Sequence, residues 1–275
     1  MRLAFSTLAC PAWKWEQAVE CARSLGYEGI EWRLIDGATA SAALPPATCR
    51  QIRAAMTEAK IESCALDSGI QFALPPGDER RAVIAEATGM LPLAKELGAD
   101  LLRVFIGKYP AEVPGDRAVG WVVEGLSEIL PAAEKHGVRV ALEVHSFEGR
   151  GKNVNGESDS FLCRKVATAI ASRWLGILWD VGNPYDEGEP LAETWANVKD
   201  HLLSLHMKDM KRLPDGTWKY VLNGEGDIDL AGIMTMLRSV RFDGWLSYEW
   251  EKKWHPELAE PEVALPHYVR AMRSL

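Results

Sequence analysis

Several features that mark large protein classes are missing from this sequence. Its five cysteines are odd in number and never form a C-x-x-C pair, which argues against a disulfide framework and a structural zinc knuckle. No run approaches the roughly 18 apolar residues that a membrane span requires. The N-terminal segment MRLAFSTLAC holds too short an apolar run for a signal peptide. We therefore expect reduced thiols, no membrane partner and a cytoplasmic location.

The sequence also lacks the excess of positive charge that a nucleic-acid-binding surface needs. Lysine and arginine number 31, aspartate and glutamate number 39, and the formal net charge is −8. Duplex DNA is therefore an unfavourable partner. No repeat of fixed period occurs in residue identity, which argues against a solenoid.

What the sequence does contain is a regular alternation of two kinds of segment. Apolar runs rich in β-branched and aromatic residues predict eight strands, near residues 2–8, 29–34, 61–67, 100–106, 138–145, 175–181, 202–207 and 244–250. Segments with helical spacing lie between them, at residues 15–25, 46–59, 80–97, 117–136, 158–171, 191–199, 230–240 and 261–273. Strand and helix thus alternate eight times.

This alternation predicts an α/β fold, a (β/α)8 TIM barrel, with residues 1–275 as a single domain. Two irregular stretches, 148–157 and 211–227, follow strands five and seven. Because the loops after the strands build the active face of such a barrel, both stretches are candidate substrate covers. Solvent loops that use glycine for turns are the alternative interpretation.

Metal-capable side chains end the last four predicted strands. They are Glu143 in VALEVH, Asp180 in LGILWDVGN, His206 in LLSLHMKD and Glu249 in GWLSYEW. A charged residue among apolar neighbours in a barrel strand is costly unless it is paired or bound to a cation. Singly, each is best explained as a buried polar residue with an ordinary partner. Four of them on consecutive strands predict one shared site instead.

Three carboxylates and one imidazole suit a divalent ion that accepts oxygen and nitrogen ligands and leaves positions open for substrate. We expect one such ion, Mn²⁺ first, with Mg²⁺, Co²⁺ or Zn²⁺ as alternatives. A closed structural zinc site is less suitable because no thiolate takes part.

With these residues the chain resembles the xylose isomerase-like TIM-barrel family of sugar isomerases, epimerases and dehydratases. In that family, strands five to eight supply a glutamate, an aspartate, a histidine and a glutamate to one metal, which match Glu143, Asp180, His206 and Glu249. The resemblance also covers LHMKD and the NGEGDID segment before helix seven. Asn183 is a departure, because many epimerases of the family carry a histidine there. An amide cannot titrate near neutrality.

The resemblance implies a small-molecule sugar or keto-polyol substrate and a mechanism through an enediolate. Glu143 and Glu249 are then expected to face opposite sides of the substrate, one removing a proton and the other returning it. The divalent ion would stabilise the charge of the enediolate as it develops. Members of the family are often dimers or tetramers, so the resemblance is compatible with a homo-oligomer.

Other residues are weaker candidates for contact with the substrate. His145 shares the facing of Glu143, although a capped rim histidine explains it about as well. Arg33 and Arg103 are candidates for binding hydroxyl or carboxylate oxygens, and ion pairs at the barrel end are the alternative. Lys208 beside Asp209 is interpreted as a charge pair that orients His206, or as a substrate contact. The candidate substrate-binding set is His145, Asn183, Lys208, Arg33, Arg103 and Trp13.

Four functional hypotheses remain open from the sequence. The first is a metal-dependent isomerase or epimerase of a small ketose or keto-polyol. The second is a lyase of the same fold, an inosose-type dehydratase, in which the same proton abstraction is followed by loss of a β-hydroxyl. The third, an abasic-site endonuclease, is disfavoured by the negative net charge and by the scarcity of candidate histidine ligands. A non-catalytic sugar-binding protein ranks last.

Overall fold

Eight parallel strands form a closed barrel in the computed structural model, which describes residues 1–110, 112–145 and 157–275. The barrel strands, β1 to β8, are Arg2–Ser6, Gly29–Trp32, Glu62–Gln71, Leu101–Phe105, Arg139–Glu143, Leu175–Asp180, Leu202–Met207 and Trp245–Tyr248. Each of the eight observed strands coincides with a predicted strand, and their bounds differ by only a few residues. Each strand pairs in parallel with the next, and β8 pairs with β1 to close the barrel. The predicted (β/α)8 fold is therefore confirmed.

Eight helices alternate with these strands. The helices, α1 to α8, are Trp15–Leu25, Pro46–Ala59, Asp78–Leu97, Gly115–His136, Asp159–Ile170, Leu191–Val198, Leu230–Ser239 and Pro261–Ser274. Three of them end at a glycine in the left-handed region, among them Gly98 with φ 79° after α3 and Gly137 with φ 66° after α4. A side chain at either position would strain that backbone, which is why glycine stops the helix there. Among the described residues, no helix is long and apolar enough to span a membrane.

Segments after several barrel strands contain structure that the sequence did not predict. Within the stretch 211–227, predicted to be irregular, Asp209–Arg212 pairs with Trp218–Val221 as an antiparallel hairpin. Its turn contains Pro214-Asp215-Gly216, with Gly216 at φ 84°, and this composition is a recognised turn signal. A short helix, Gly182–Asp186, follows β6. Of the stretch 148–157, residues 148–156 lie outside the described residues, so its proposed role as a substrate cover stays a prediction.

Because all eight strands run in one direction, their carboxyl ends meet at one rim of the barrel. The register aligns Asp180 of β6 with His206 of β7, and Asp67 of β3 with Arg103 of β4. Neighbouring residues in register share a facing on a sheet. The strands thus bring polar side chains from distant parts of the chain together inside the carboxyl-terminal end of the barrel.

Candidate metal centre

The four predicted ligands converge inside the barrel. Glu143 ends β5, Asp180 ends β6, His206 lies in β7 and Glu249 directly follows β8. Each offers one ligand atom, and these atoms all lie within 4.8 Å of one another. The Nδ1 atom of His206 is 3.3 Å from Glu249 Oε1, 3.7 Å from Glu143 Oε1 and 3.9 Å from Asp180 Oδ2. One imidazole nitrogen therefore faces three carboxylates.

Local backbone structure orients Asp180. Its Oδ1 atom accepts hydrogen bonds from the backbone N–H of Gly182 at 2.7 Å and of Asn183 at 2.9 Å. These two donors begin the short helix after β6, and an aspartate at such a position satisfies their free amides. The carboxylate is thereby fixed by one oxygen, and the other, Oδ2, faces the cluster.

Cations hold the two glutamates of the cluster in their ionised form. Burial alone would raise the pKa of Glu143, but Arg103 and His206 lower it, and Arg103 Nε lies 3.2 Å from Glu143 Oε2. Burial likewise opposes ionisation of Glu249, yet His206 and Lys208 hold its pKa well below the usual range. Both carboxylates are therefore available as proton acceptors near neutrality.

The pKa values of the other two members of the cluster, Asp180 and His206, are raised. Burial raises the pKa of Asp180 to about 7, against the opposing effect of Lys208. Burial alone would lower the pKa of His206, but Glu249, Glu31 and Glu143 surround it and raise the pKa well above its usual value. The cluster thus attracts positive charge strongly, which is the electrostatic condition for binding a cation.

The donor set fits a divalent metal ion. Neither ring nitrogen of His206 has a hydrogen-bond partner among the described residues, although the whole ring is buried. A buried polar atom normally has a hydrogen-bond partner or binds a metal ion. Three carboxylates and one imidazole around that ring form a group that could hold a divalent ion.

Lys208 links the cluster to the rim. Its Nζ atom lies 2.8 Å from Asp180 Oδ2, 2.6 Å from Glu249 Oε2 and 2.6 Å from Glu251 Oε1. Burial would lower the pKa of Lys208, but Asp180, Glu249 and Glu251 hold it well above the usual value. The ammonium group therefore stays charged and offsets part of the repulsion among the carboxylates.

The charge pair that was predicted between Lys208 and Asp209 is wrong. Asp209 instead accepts hydrogen bonds from the backbone N–H of Gly224 and Gly226, at 2.8 and 2.9 Å. A Cβ atom at Gly226 would lie only 2.1 Å from Asp209 Oδ1, so glycine is required there. Successive residues of an extended chain face opposite ways, which separates these neighbours. The NGEGD segment is thus a loop anchored on Asp209.

The two arginines of the candidate substrate-binding set occupy different environments. Arg103 is buried and contacts Asp67 Oδ2 at 3.4 Å as well as Glu143, so the ion-pair interpretation applies to it. Arg33 is half-buried, and its Nη1 donates to the carbonyl oxygen of Asp67 at 3.3 Å. Among the described residues, no carboxylate lies within ion-pair distance of Arg33.

The remaining members of that set have different surroundings. His145 packs edge-on against Phe105 with ring centroids 4.8 Å apart, and burial lowers its pKa. Asn183 is half-buried, and its amide donates to the carbonyl oxygen of Val144 at 3.3 Å. Trp13 is half-buried and lines a cavity of about 560 Å³ between α1 and α8. Contact of these side chains with substrate stays a prediction.

Sequence reasoning missed two carboxylates beneath the cluster. Glu31 of β2 and Asp67 of β3 are both 0% exposed and, with His206, form a second group able to hold a cation. Burial and the neighbouring Glu31 raise the pKa of Asp67 to about 8. The signal was available, since both are charged residues in the apolar runs GIEW and SCALD. A search for charged residues within apolar runs, as made for strands five to eight, identifies both carboxylates in strands two and three.

A further pair of carboxyl groups joins the segments after β5 and β6. Burial raises the pKa of Asp159 to about 6, and burial together with Asp159 raises the pKa of Glu187 to about 9. Both values exceed those of the unfolded chain, so the folded protein holds these protons more tightly. The stability that they contribute is present at low pH and is lost as the pH rises through about 6 and about 9.

We therefore expect the free energy of unfolding to fall between pH 6 and pH 9, and a Glu187→Gln variant to show a smaller fall. Urea denaturation at pH 6, 7.5 and 9 measures this. Glu79→Gln, an exposed position at the start of α3, is the matched control and should keep the wild-type slope. Equal slopes in Glu187→Gln and wild type would contradict the raised pKa of Glu187.

Comparison with known proteins places this geometry in context. The sequence matches the family described as xylose isomerase-like TIM barrel over residues 19–275. An inosose dehydratase from Lactiplantibacillus plantarum is 24% identical over 155 residues, which cover 51% of this chain and 48% of the relative. The chain spans less than half the length of the curated relatives that it matches.

Solved structures resemble the whole barrel. The IolI protein with a zinc atom gives a TM-score of 0.80 at 19% identity, covering 100% of this chain and 97% of that one. A D-psicose 3-epimerase from Clostridium cellulolyticum H10 gives 0.77 at 15% identity, covering 100% and 98%. At these identities the likeness establishes the fold.

Proposed function

We propose, because this chain belongs to the xylose isomerase-like TIM-barrel family, that it is a divalent-metal-dependent isomerase or epimerase of a small ketose or keto-polyol. The observation that carries the proposal is the pairing of Glu143 and Glu249 in one buried cluster. Their pKa values are both lowered, by Arg103 and by His206 with Lys208, against the effect of burial. An ionised carboxylate can accept the proton that leaves carbon, and a second carboxylate facing the same site can deliver one once it has itself been protonated.

In this mechanism Glu143 removes a proton from the carbon next to the substrate carbonyl, and the electron pair moves onto the carbonyl oxygen. In an isomerisation the protonated Glu143 returns that proton to the adjacent carbon; in an epimerisation Glu249, after it has taken up a proton from solvent, delivers it to the other side of the substrate. Glu143, Asp180, His206 and Glu249 would hold a divalent ion, which would supply stabilisation of the negative charge that develops on oxygen. General acid–base assistance of this kind contributes about 10²- to 10⁴-fold to the rate.

The neighbouring cations position the two glutamates. Arg103 holds Glu143 Oε2 at 3.2 Å, and Lys208 donates to Glu249 Oε2 at 2.6 Å. Each glutamate thus has one oxygen fixed by a cation, and its Oε1 atom faces His206. We assign contact with substrate hydroxyl groups to the remaining candidates, which are Arg33, His145, Asn183 and Trp13.

Mn²⁺ remains the first choice of metal, with Mg²⁺, Co²⁺ and Zn²⁺ as alternatives. Support for a metal of this class comes from the oxygen-rich donor set and from the zinc atom in the structurally similar IolI protein. The donor set contains one nitrogen and no sulfur, which favours the harder ions of this group.

A lyase is the second candidate, because the curated relatives include an inosose dehydratase and a mannonate dehydratase. Proton abstraction by Glu143 would be the shared first step, followed by departure of a β-hydroxyl group in place of reprotonation. An abasic-site endonuclease ranks lower, since the net charge of −8 opposes binding to a phosphate backbone.

Incubation of Mn²⁺-loaded protein with a panel of ketoses and inososes in D₂O separates these candidates. An isomerase or epimerase should place deuterium on the carbon that was deprotonated, without loss of water, as detected by NMR and mass spectrometry. A dehydratase should instead release water and produce an enone that absorbs in the ultraviolet. Turnover that continues at the full rate after chelation of the metal would contradict both assignments.

A further inference from the structure

The imidazole of His206 separates two groups of carboxylates. Nδ1 faces Glu143, Asp180 and Glu249, at 3.3 to 3.9 Å. Nε2 faces the other way, with Glu31 Oε1 at 3.0 Å. Glu31 and His206 are both 0% exposed, so this contact is shielded from bulk solvent. One ring thus joins the proposed metal ligands to a carboxylate that none of the preceding roles uses.

The 3.0 Å contact has the length of a hydrogen bond, although its direction departs from the ideal. Among the described residues, neither carboxylate oxygen of Glu31 has a hydrogen-bond partner, and neither ring nitrogen of His206 has one. A buried carboxylate and a buried imidazole without other partners are costly to leave apart. Each of these two side chains therefore offers the other a hydrogen-bond partner.

We propose that Glu31 is the positioning residue of this metal centre: it accepts the Nε2–H of His206 and thereby directs the lone pair of Nδ1 towards the three ligand carboxylates. A histidine that binds a metal through one nitrogen usually donates its other N–H to a carboxylate or carbonyl oxygen, which fixes the tautomer and the ring orientation. The inference rests on the metal centre of the proposed function and assigns Glu31 no contact with substrate.

The barrel holds Glu31 in place for this role. Its strand, β2, pairs with β1 on one side and β3 on the other, and the backbone oxygen of Glu31 accepts from Thr7 Oγ1 at 3.3 Å. Asp67, the other carboxylate beneath His206, is already engaged by Arg103, which contacts Asp67 Oδ2 at 3.4 Å. The guanidinium thus supplies positive charge on that side. Glu31 also neighbours Asp67, whose pKa it raises, and its Oε1 atom faces Nε2 of His206.

A second metal ion held by Glu31, Asp67 and His206 is the competing arrangement, since these residues also form a group with metal-ligand spacing. It would require both ring nitrogens of His206 to lose their protons. The positioning role requires one proton to remain on Nε2, which is the ordinary state of a neutral imidazole. The number of ions bound therefore separates the two arrangements.

Titration of the metal-free protein with Co²⁺, followed by calorimetry and by visible absorption, tests the inference without any substrate. We expect one equivalent of Co²⁺ in the wild type, and an affinity about 10- to 100-fold lower in Glu31→Leu. Glu31→Gln keeps an acceptor oxygen and should recover most of the lost affinity. Glu62→Leu, an exposed glutamate at the opposite end of the barrel, is the matched control and should bind like the wild type.

NMR of the wild type supplies a second readout in case Glu31→Leu does not fold. In Zn²⁺-loaded protein with ¹⁵N-labelled histidine, His206 should show a protonated Nε2 and a metal-bound Nδ1. If Glu31 had a merely structural role, the Glu31→Leu substitution would change the melting temperature of the protein. It would leave the His206 tautomer and the Co²⁺ spectrum as they are in the wild type.

Three results would overturn the inference. Equal Co²⁺ affinity in Glu31→Leu and wild type would remove the positioning role while leaving the proposed function intact. Two equivalents of Co²⁺ in the wild type, falling to one in Glu31→Leu, would assign Glu31 to a second metal. Absence of Co²⁺ binding by the folded wild type would end both this inference and the metal dependence of the proposed function.

Discussion

Replacing Glu143 or Glu249 with glutamine is expected to lower turnover by about 10²- to 10⁴-fold, the range for loss of a general acid or base. Glutamine has nearly the same shape as glutamate but cannot accept and return a proton. Both carboxylates are ionised in the protein, so each substitution removes a functioning proton acceptor. The measurement is kcat on the substrate found by the D₂O panel, together with the rate at which its C–H exchanges with solvent deuterium.

Glu62→Gln is the control for these two variants. It removes a carboxylate that is paired with Arg2 at the other end of the barrel and should leave turnover unchanged. Circular dichroism and the Co²⁺ titration establish that the Glu143 and Glu249 variants fold and bind metal. Full turnover by both variants in that state would refute the acid–base assignment.

Loading the protein with a divalent metal is expected to stabilise it substantially. At a metal concentration 1,000-fold above Kd, mass action contributes about 4 kcal/mol to the free energy of unfolding. For a chain of this size that corresponds to roughly 10 °C in melting temperature. The physical reason is that the ion offsets the repulsion among three buried carboxylates, which the metal-free protein relieves only partly through Lys208 and Arg103. Thermal denaturation with Mn²⁺ and with a chelator measures the difference.

Asp180→Asn should remove most of this stabilisation. Its amide oxygen can still accept from Gly182 and Asn183, so the local backbone is kept while the ionic ligand is lost. Asp200→Asn, an exposed aspartate between α6 and β7, is the control and should retain the full shift. A metal-induced shift in Asp180→Asn as large as that of the wild type would exclude Asp180 as a ligand.

Prediction of the fold from the sequence succeeded because barrel strands and their helices differ in the period of their apolar residues. α1 and α2 were predicted at their observed bounds, and α6 was placed to within one residue. The hairpin Asp209–Arg212/Trp218–Val221 was missed because its strands are short and pair only with each other. Its turn signal was present, but an isolated hairpin has no apolar face long enough to stand out.

The site was predicted unevenly for a related reason. Glu143, Asp180, His206 and Glu249 were identified because each follows an apolar run and all four fall on consecutive strands. Glu31 and Asp67 have the same local pattern, but they come from the first half of the chain, where neighbouring predicted ligands are missing. The ion-pair partners of these residues were harder still to predict from the sequence, as the erroneous Lys208–Asp209 pair illustrates.

The sequence by itself determined the number, order and type of the elements, and it determined which side chains end the last four strands. These properties depend on residues close together in the chain. Only the tertiary structure decided that Glu31 lies 3.0 Å from His206, that Arg103 joins Asp67 to Glu143, and that Lys208 bridges Asp180 and Glu249. Such contacts depend on the register and closure of eight strands, which fix distances between residues that can be more than a hundred positions apart.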